Sequence, residues 1–391
     1  MALLAGIRVL DFGRYIAGPY CAALLGDLGA DVIRIERVDG GEDRCVLPVT
    51  PSGEGGMFLQ MNRNKRCLTL DLAHEDGRRI VRQLAETADV VVANLPPGTL
   101  RHLGLDYDTL DALNPRIVLA TVTAYGPGGP LSGQPGFDSV GQAMSGASFM
   151  SGLPDAPIRM GVPYVDVSTA QALAMATLAA LWARERSGKG QRVEASLLRT
   201  ALIHSNSILI EQALRAPDRV PQGNRSYGAA PGDLFRTRDG WIVVATIGQA
   251  MFSRWCELVG QPALQHDPRL QSDEDRGRHS VQISGLMQQW CEQRDSAEAL
   301  AALAAAKIPA AAVLSPQQAL DDAHIRAAGL LRDQAFGELR YPLTPHPAEM
   351  SAEATPVRRA APRLGEHSEQ ILAELGYDAA AVAALQARHV I

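Results

Sequence analysis

The chain contains no pair of cysteines at the spacing of a metal or redox site. Its five cysteines, Cys21, Cys45, Cys67, Cys256 and Cys291, are scattered. They predict reduced thiols and a cytoplasmic location rather than a disulfide frame or a zinc site. Basic charge is not in excess: 37 Lys and Arg stand against 43 Asp and Glu, for a formal charge of −6. Non-specific nucleic-acid binding, which requires a strongly basic face, is therefore not expected. The longest apolar run, residues 170–183, is shorter than a bilayer requires. The opening residues lack the charged and then apolar pattern of a signal peptide, so neither a membrane partner nor export is expected. There is no GxSxG elbow, no HExxH and no P-loop, and the nine histidines are dispersed. The glycines of residues 126–133 miss the GxGxxG spacing. These absences weigh against a serine hydrolase, a zinc enzyme and an ordinary nicotinamide dehydrogenase.

What is present is ordinary globular material: 391 residues, 46% hydrophobic and 20% charged, enough for two or three domains. The first 130 residues alternate strand signals, at 7–12, 31–36, 67–72, 89–94 and 116–124, with helix signals at 19–28 and 75–87. Alternation of this kind implies βαβ units and a doubly wound, Rossmann-like parallel sheet with helices on both faces. Ligands of such sheets bind beyond the carboxyl ends of the strands. Helix patterns at 139–146, 168–186 and 197–215 surround a further strand at 192–195, completing a large α/β domain over 1–215. Residues 216–232, rich in Pro, Gly and Asn, read as a linker. A hairpin signal centred on Asp239-Gly240 then opens a smaller α+β domain over 233–325, continued by helices. A Pro-rich connector at 345–362 and an amphipathic tail at 367–385 follow.

Asp166 is the only charged residue between Arg159 and Arg184 and directly precedes the apolar run. A carboxylate with so little water nearby must be hydrogen-bonded, kept neutral or used. The local pattern favours a helix N-cap. Ser168 and Thr169 could cap instead, which leaves the functional reading open. The strand-end loops at 13–20, 36–37, 94–98 and 125–130 are rich in glycine and cations. Together with Arg37, Arg63, Lys65, Arg66 and Arg101 they suit a phosphate-bearing, nucleotide-type ligand, the plainer reading being turns with solvated charges. His102 and His204 read as solvated or packed helix residues, and Glu36 either orients Arg37 or caps its strand.

Taken together, several segments resemble the class III CoA-transferases of the CaiB/BaiF type, which include formyl-CoA transferase. The residues that carry the likeness are Gly6-Ile-Arg-Val-Leu-Asp-Phe12, Ala17-Gly-Pro19, Leu28-Gly-Ala-Asp-Val-Ile-Arg-Ile-Glu-Arg37 and Asn64-Lys-Arg66. Asn94, Pro97-Gly98, Pro135-Gly-Phe-Asp138, Ser187-Gly-Lys-Gly-Gln191 and Leu364-Gly-Glu-His367 continue it. The resemblance implies that Asp166 is the nucleophile that attacks an acyl-CoA thioester. It places Arg37 at the nucleotide phosphates and Leu70 and Asn94 at the adenine and ribose. Tyr15, Ile16 and Ala17 would lie beside the pantetheine and thioester, and Asp138 near the reacting centre. A phosphate-binding arginine of the family falls on His102, with Arg101 one residue earlier. No tightly bound cofactor and no metal are implied, coenzyme A and its acyl esters being substrates. An interlocked homodimer is implied as well, with residues 326–391 returning to the large domain. Pro135 stands where formyl-CoA transferase has lysine and Ile16 where it has glutamine, so formyl specificity does not carry over. Only Gly248 remains of that enzyme's glycine-rich active-site loop. The nearest alternative is an α-methylacyl-CoA racemase, but its catalytic histidine aligns with Phe137, which cannot carry a proton. A CoA-binding protein without catalysis is the other alternative.

Overall fold

The structure is a computed structural model and describes residues 2–391. The chain forms two compact units. One holds the residues up to Ala147 together with Arg159–Pro217 and Arg326–Ile391, and the other holds Ser148–Ile158 and Asp218–Ile325.

The first unit is built on six strands: β1 (Arg8–Asp11), β2 (Asp31–Glu36), β3 (Lys65–Thr69), β4 (Val90–Ala93), β5 (Val118–Thr123) and β6 (Gln191–Ser196). They pair in parallel in the order β3-β2-β1-β4-β5-β6. Successive side chains point to opposite faces, so each strand feeds two cores. Val9, Val32, Val90, Val92 and Val118 pack under the helices Ala17–Asp27 and Tyr164–Ser187. Leu10, Ile33, Leu68, Val91 and Leu119 pack under Glu75–Thr87 and the C-terminal helices. Burial on both faces explains why β4 and β5 read as nearly continuous apolar runs. The Tyr164–Ser187 helix is long and apolar enough, by length and composition, to cross a membrane. Here its Val165, Ala170, Leu173 and Leu181 are buried in the first of these cores.

Strand order reverses between β1 and β4, so the loops after these strands diverge and leave a crevice at the sheet's C-terminal edge. The opposite edge of β3 is covered by chain from far downstream. Cys67 accepts the His367 amide at 3.0 Å, the Thr69 amide donates to Ser368 Oγ at 3.2 Å, and the Asp71 amide donates to the Val390 carbonyl at 2.8 Å. A strand that would otherwise invite foreign pairing is thereby closed. The tail is two helices rather than one, Ser368–Glu374 and Ala379–Ala387, parted at Gly376, whose φ of +89° few other residues adopt.

A set of buried and half-buried ion pairs around β3 corrects an expectation. Lys65 Nζ meets Asp11 at 2.6 Å, Arg63 meets Asp27 at 2.6 Å, and Arg66 meets Asp31 and Glu374, each at 2.6 Å. These three cations are structural and face no open site, because β3 starts at Lys65, two residues earlier than the apolar pattern suggests. Their charges are tolerated inside because each is matched. Glu36 neither orients Arg37 nor caps its strand. It accepts from Arg34 and Arg44 at 2.9 Å each and from the Gly41 amide at 2.9 Å.

In the second unit, β7 (Gly232–Arg236), β8 (Trp241–Ala245) and β9 (Ala310–Ala312) form an antiparallel sheet. Phe235, Ile242, Val244, Trp255 and Met287 fill its core. The Asp239-Gly240 hairpin turn is present between β7 and β8. The three alanines of β9 carry no strand signal of their own and pair because β8 offers an edge. The hairpin β10 (Arg332–Phe336) and β11 (Leu339–Leu343) of the first unit is equally silent in the sequence, since its residues are mostly exposed and mix polar with apolar side chains.

Candidate active site

Two adjoining cavities open along the C-terminal edge of the parallel sheet. The first, of about 640 Å³, lies beyond β1, β2 and β3 and is lined by Arg14, Arg37, Asp39, Leu70, Thr99 and Leu103 among others. The second, of about 440 Å³, lies beyond β1, β4 and β5. Its lining includes Arg14, Tyr15, Ile16, Ala17, Asn94, Phe137 and Asp166. Arg14 and Leu95 line both.

Asp166 sits inside the first turn of the Tyr164–Ser187 helix, not ahead of it, and is only 8% exposed. It is not the cap, and neither Ser168 nor Thr169 fills that role. Both hydroxyls point back along the helix, donating to the Tyr164 and Val165 carbonyls at 2.7 Å. The cap comes from another segment. Asp138 Oδ2 accepts the Val165 amide at 2.8 Å and the Asp166 amide at 3.0 Å. Gln142 holds the other Asp138 oxygen, and its own Oε1 accepts the Met160 amide at 2.9 Å. The Asp166 side chain is left to the cavity. Burial first, and then the negative charge of Asp138, push its pKa up to about 7. A carboxylate of that basicity, poorly solvated and half ionised at neutral pH, is a better nucleophile than an ordinary aspartate.

The wall facing Asp166 is a loop held from several sides. Asn94 Oδ1 accepts the Arg14 amide at 2.7 Å, and Asn94 Nδ2 donates to the Arg14 carbonyl at 2.8 Å. Asp11 accepts the Gly13 amide at 2.8 Å, and Arg34 donates to the Gly13 carbonyl at 3.2 Å. A Cβ at Gly13 would sit 2.6 Å from Pro19 Cδ and 2.7 Å from Asp11 Oδ1, so only glycine fits. These restraints hold Tyr15 at φ +60° and stand its ring edge-on to Phe137, with centroids 5.5 Å apart. The helix Ala17–Asp27 starts immediately after this loop and has no side-chain cap, so its first amides are free for a ligand.

The fold brings Tyr15, Ile16, Ala17, Asn94 and Asp166 to the second cavity. Arg37 and Leu70 line the first, where Arg37 is exposed and donates to Asp39 at 2.9 and 2.7 Å. Asp138 lies behind Asp166 rather than in the lining. Arg101 and His102 occupy the exposed last turn of the Pro97–Leu103 helix, where Thr99 and Leu103, and neither of them, line the first cavity. Arg14 is a residue that sequence reasoning passed over. Its only signal was its place in the loop after β1.

Residues 4–368 match the family model described as CoA-transferase family III. The chain belongs to that family. Among its curated relatives, this family III chain is 32% identical to succinyl-CoA–D-citramalate CoA-transferase of Chloroflexus aurantiacus, over 99% of this chain and 98% of the other. It is also 32% identical to succinate–glutarate CoA-transferase of Agrobacterium fabrum, over 95% of each. The crystal structure of a CaiB/BaiF family protein from Brucella suis superposes with a TM-score of 0.84 at 29% identity, covering 95% of this chain and 99% of that one. The parallel six-stranded sheet and the small antiparallel sheet are thus the fold of CaiB/BaiF proteins.

Proposed function

We propose that the protein moves coenzyme A from an acyl-CoA donor to a free carboxylic acid, with Asp166 as nucleophile. The observation that carries this reading is a single buried carboxylate, of raised pKa, facing a cavity of about 440 Å³ across from an uncapped helix N-terminus. In the first step an Asp166 oxygen attacks the thioester carbonyl and the C–S bond breaks. CoA leaves as thiolate and an acyl-aspartyl anhydride remains. The thiolate then attacks the Asp166 carbonyl carbon, releasing the donor acid and leaving an aspartyl-CoA thioester. The acceptor carboxylate attacks that same carbon, expels thiolate and forms a second anhydride. Thiolate attacks its acyl carbon, and the product thioester departs with Asp166 restored. No water enters the balance, so the chemistry requires water to be kept from the two intermediates. The Ala17 amide, at the uncapped helix start that lines the cavity, supplies a donor for the oxyanions that form at each attack.

The names of the two curated relatives contain succinyl-CoA or succinate, which makes succinyl-CoA the first donor to try. The second copy expected from the resemblance is supported by apolar side chains that the fold leaves uncovered: Met175 is 70%, Trp182 69%, Ile203 70% and Leu214 80% exposed. A monomeric mass at micromolar concentration would count against a dimer. A cytoplasmic location is in keeping with five free cysteines, four of them buried.

The test is acyl exchange in heavy water, followed by mass spectrometry, with succinyl-CoA, acetyl-CoA and 2-methylacyl-CoA offered to a panel of acids. New CoA esters that disappear in Asp166→Ala are expected. Deuterium at the α-carbon without a new ester would make the protein a racemase instead.

A further inference from the structure

Among the described residues, Arg14 is the one charged residue that lines both cavities, and together with Leu95 it forms their common boundary. Its backbone is fixed by Asn94 on both sides, whereas its guanidinium is held loosely. Nη1 lies 3.6 Å from Asp43 Oδ1, beyond hydrogen-bond range, with the side chain 28% exposed. Asp43 itself is buried. Its Oδ2 is engaged by Arg34 at 2.8 Å, but its Oδ1 has no hydrogen-bond partner. Gly41 makes room for this arrangement, since a Cβ there would collide with both Arg14 Nη1 and Asp43 Oδ1. Gly41 has an ordinary extended backbone, φ −88° and ψ 145°, so space and not conformation is what its lack of a side chain provides.

Resting on the CoA-transferase reading, we propose that Arg14, tethered by Asp43 across Gly41, binds the diphosphate of coenzyme A. A CoA ester with its thioester at Asp166 in the second cavity and its nucleoside in the first must pass the Arg14–Leu95 boundary. The anionic part of the molecule between nucleoside and pantetheine is the diphosphate. A guanidinium on a rigid backbone, with one half-satisfied carboxylate behind it, keeps its outer N–H groups free for phosphate oxygens. Arg37, exposed and in the first cavity only, is left for the nucleoside end.

Calorimetric binding of CoA, dephospho-CoA and pantetheine to the full chain and to Arg14→Met tests this. Arg14→Lys and Gly41→Ala serve as companion variants, and circular dichroism confirms that each is folded. Arg14→Met should weaken CoA and dephospho-CoA alike by about tenfold to a hundredfold and leave pantetheine unchanged. Arg14→Lys should recover part of the loss. Gly41→Ala, which displaces the guanidinium while keeping the charge, should weaken the same two ligands. A loss seen with CoA but absent with dephospho-CoA would assign Arg14 to the 3′-phosphate and overturn the proposal. An equal loss with pantetheine would mean that Arg14 acts through the shape of the loop, and it too would overturn it. Failure of the unaltered chain to bind any of the three would instead remove the CoA-transferase reading.

Discussion

Replacing Asp166 with Asn should stabilise the fold, and the gain should grow with pH. Burial and the neighbouring Asp138 raise the Asp166 pKa from an ordinary 3.8 to about 7. The folded chain therefore binds this proton more tightly than the unfolded chain does. Below pH 3.8 both states hold the proton and nothing is lost. As pH climbs from about 4 to about 7 the unfolded chain has already released the proton and the folded chain has not, so stability falls, levelling off above 7. From pH 5 to pH 8 the difference amounts to roughly two pH units of tighter binding, or roughly 2.6 kcal/mol at 1.36 kcal/mol each. Asn has a similar shape and does not titrate. Titrating groups that do not interact with Asp166 cancel when the two proteins are compared at each pH, and the charge of Asp138 enters through its coupling to Asp166. Urea unfolding at pH 5, 6, 7 and 8 should thus show Asp166→Asn gaining on the parent by roughly 2–3 kcal/mol across the series. A difference that stays flat within about 0.5 kcal/mol would refute the raised pKa, and with it the electrostatic basis for Asp166 as an activated nucleophile.

Further outcomes follow from the same geometry. The pH profile of kcat/KM should rise with a midpoint near 7 as Asp166 ionises. In Asp138→Asn the midpoint should move lower without reaching the ordinary carboxylate range, because burial, the larger cause, is unchanged; an unmoved midpoint would remove Asp138 from the tuning. Arg63→Met should cost about 3–5 kcal/mol in urea unfolding, since it strands the buried Asp27 carboxylate. Adding Asp27→Leu should return much of that loss, and an equal or larger loss in the double variant would contradict the ion-pair account.

The sequence made the centre of the sheet legible because β4 and β5, buried on both faces, are almost wholly apolar, and the Glu75–Thr87 helix keeps its period. The Leu197–Arg215 helix lies where its pattern puts it. Asp166 was readable as a lone carboxylate before an apolar run, but its role within the turn was not. The cap that frees it comes from Asp138, 28 residues earlier, and no local pattern reports a contact at that separation. The same limit applies to Arg63, Lys65 and Arg66. A run of cations reads as a solvated or phosphate-binding cluster until the fold brings Asp27, Asp11, Asp31 and Glu374 against it. Arg14 escaped notice for the opposite reason: it lay in a segment already singled out for its neighbours, and only the shared wall of two cavities distinguishes it. The hairpin β10–β11 and the alanine strand β9 were hidden because pairing, not composition, makes them strands.

The partners that close the outer edge of β3 lie about 300 residues downstream, at His367, Ser368 and Val390. At roughly 5–20 residues per second on the ribosome, that edge waits roughly 15–60 s for its cover. The second unit, complete once Ile325 is made, is synthesised in full during the wait. The first unit is thus finished after the second, and the outer edge of β3, paired only to β2 until then, stays open to foreign pairing while translation proceeds.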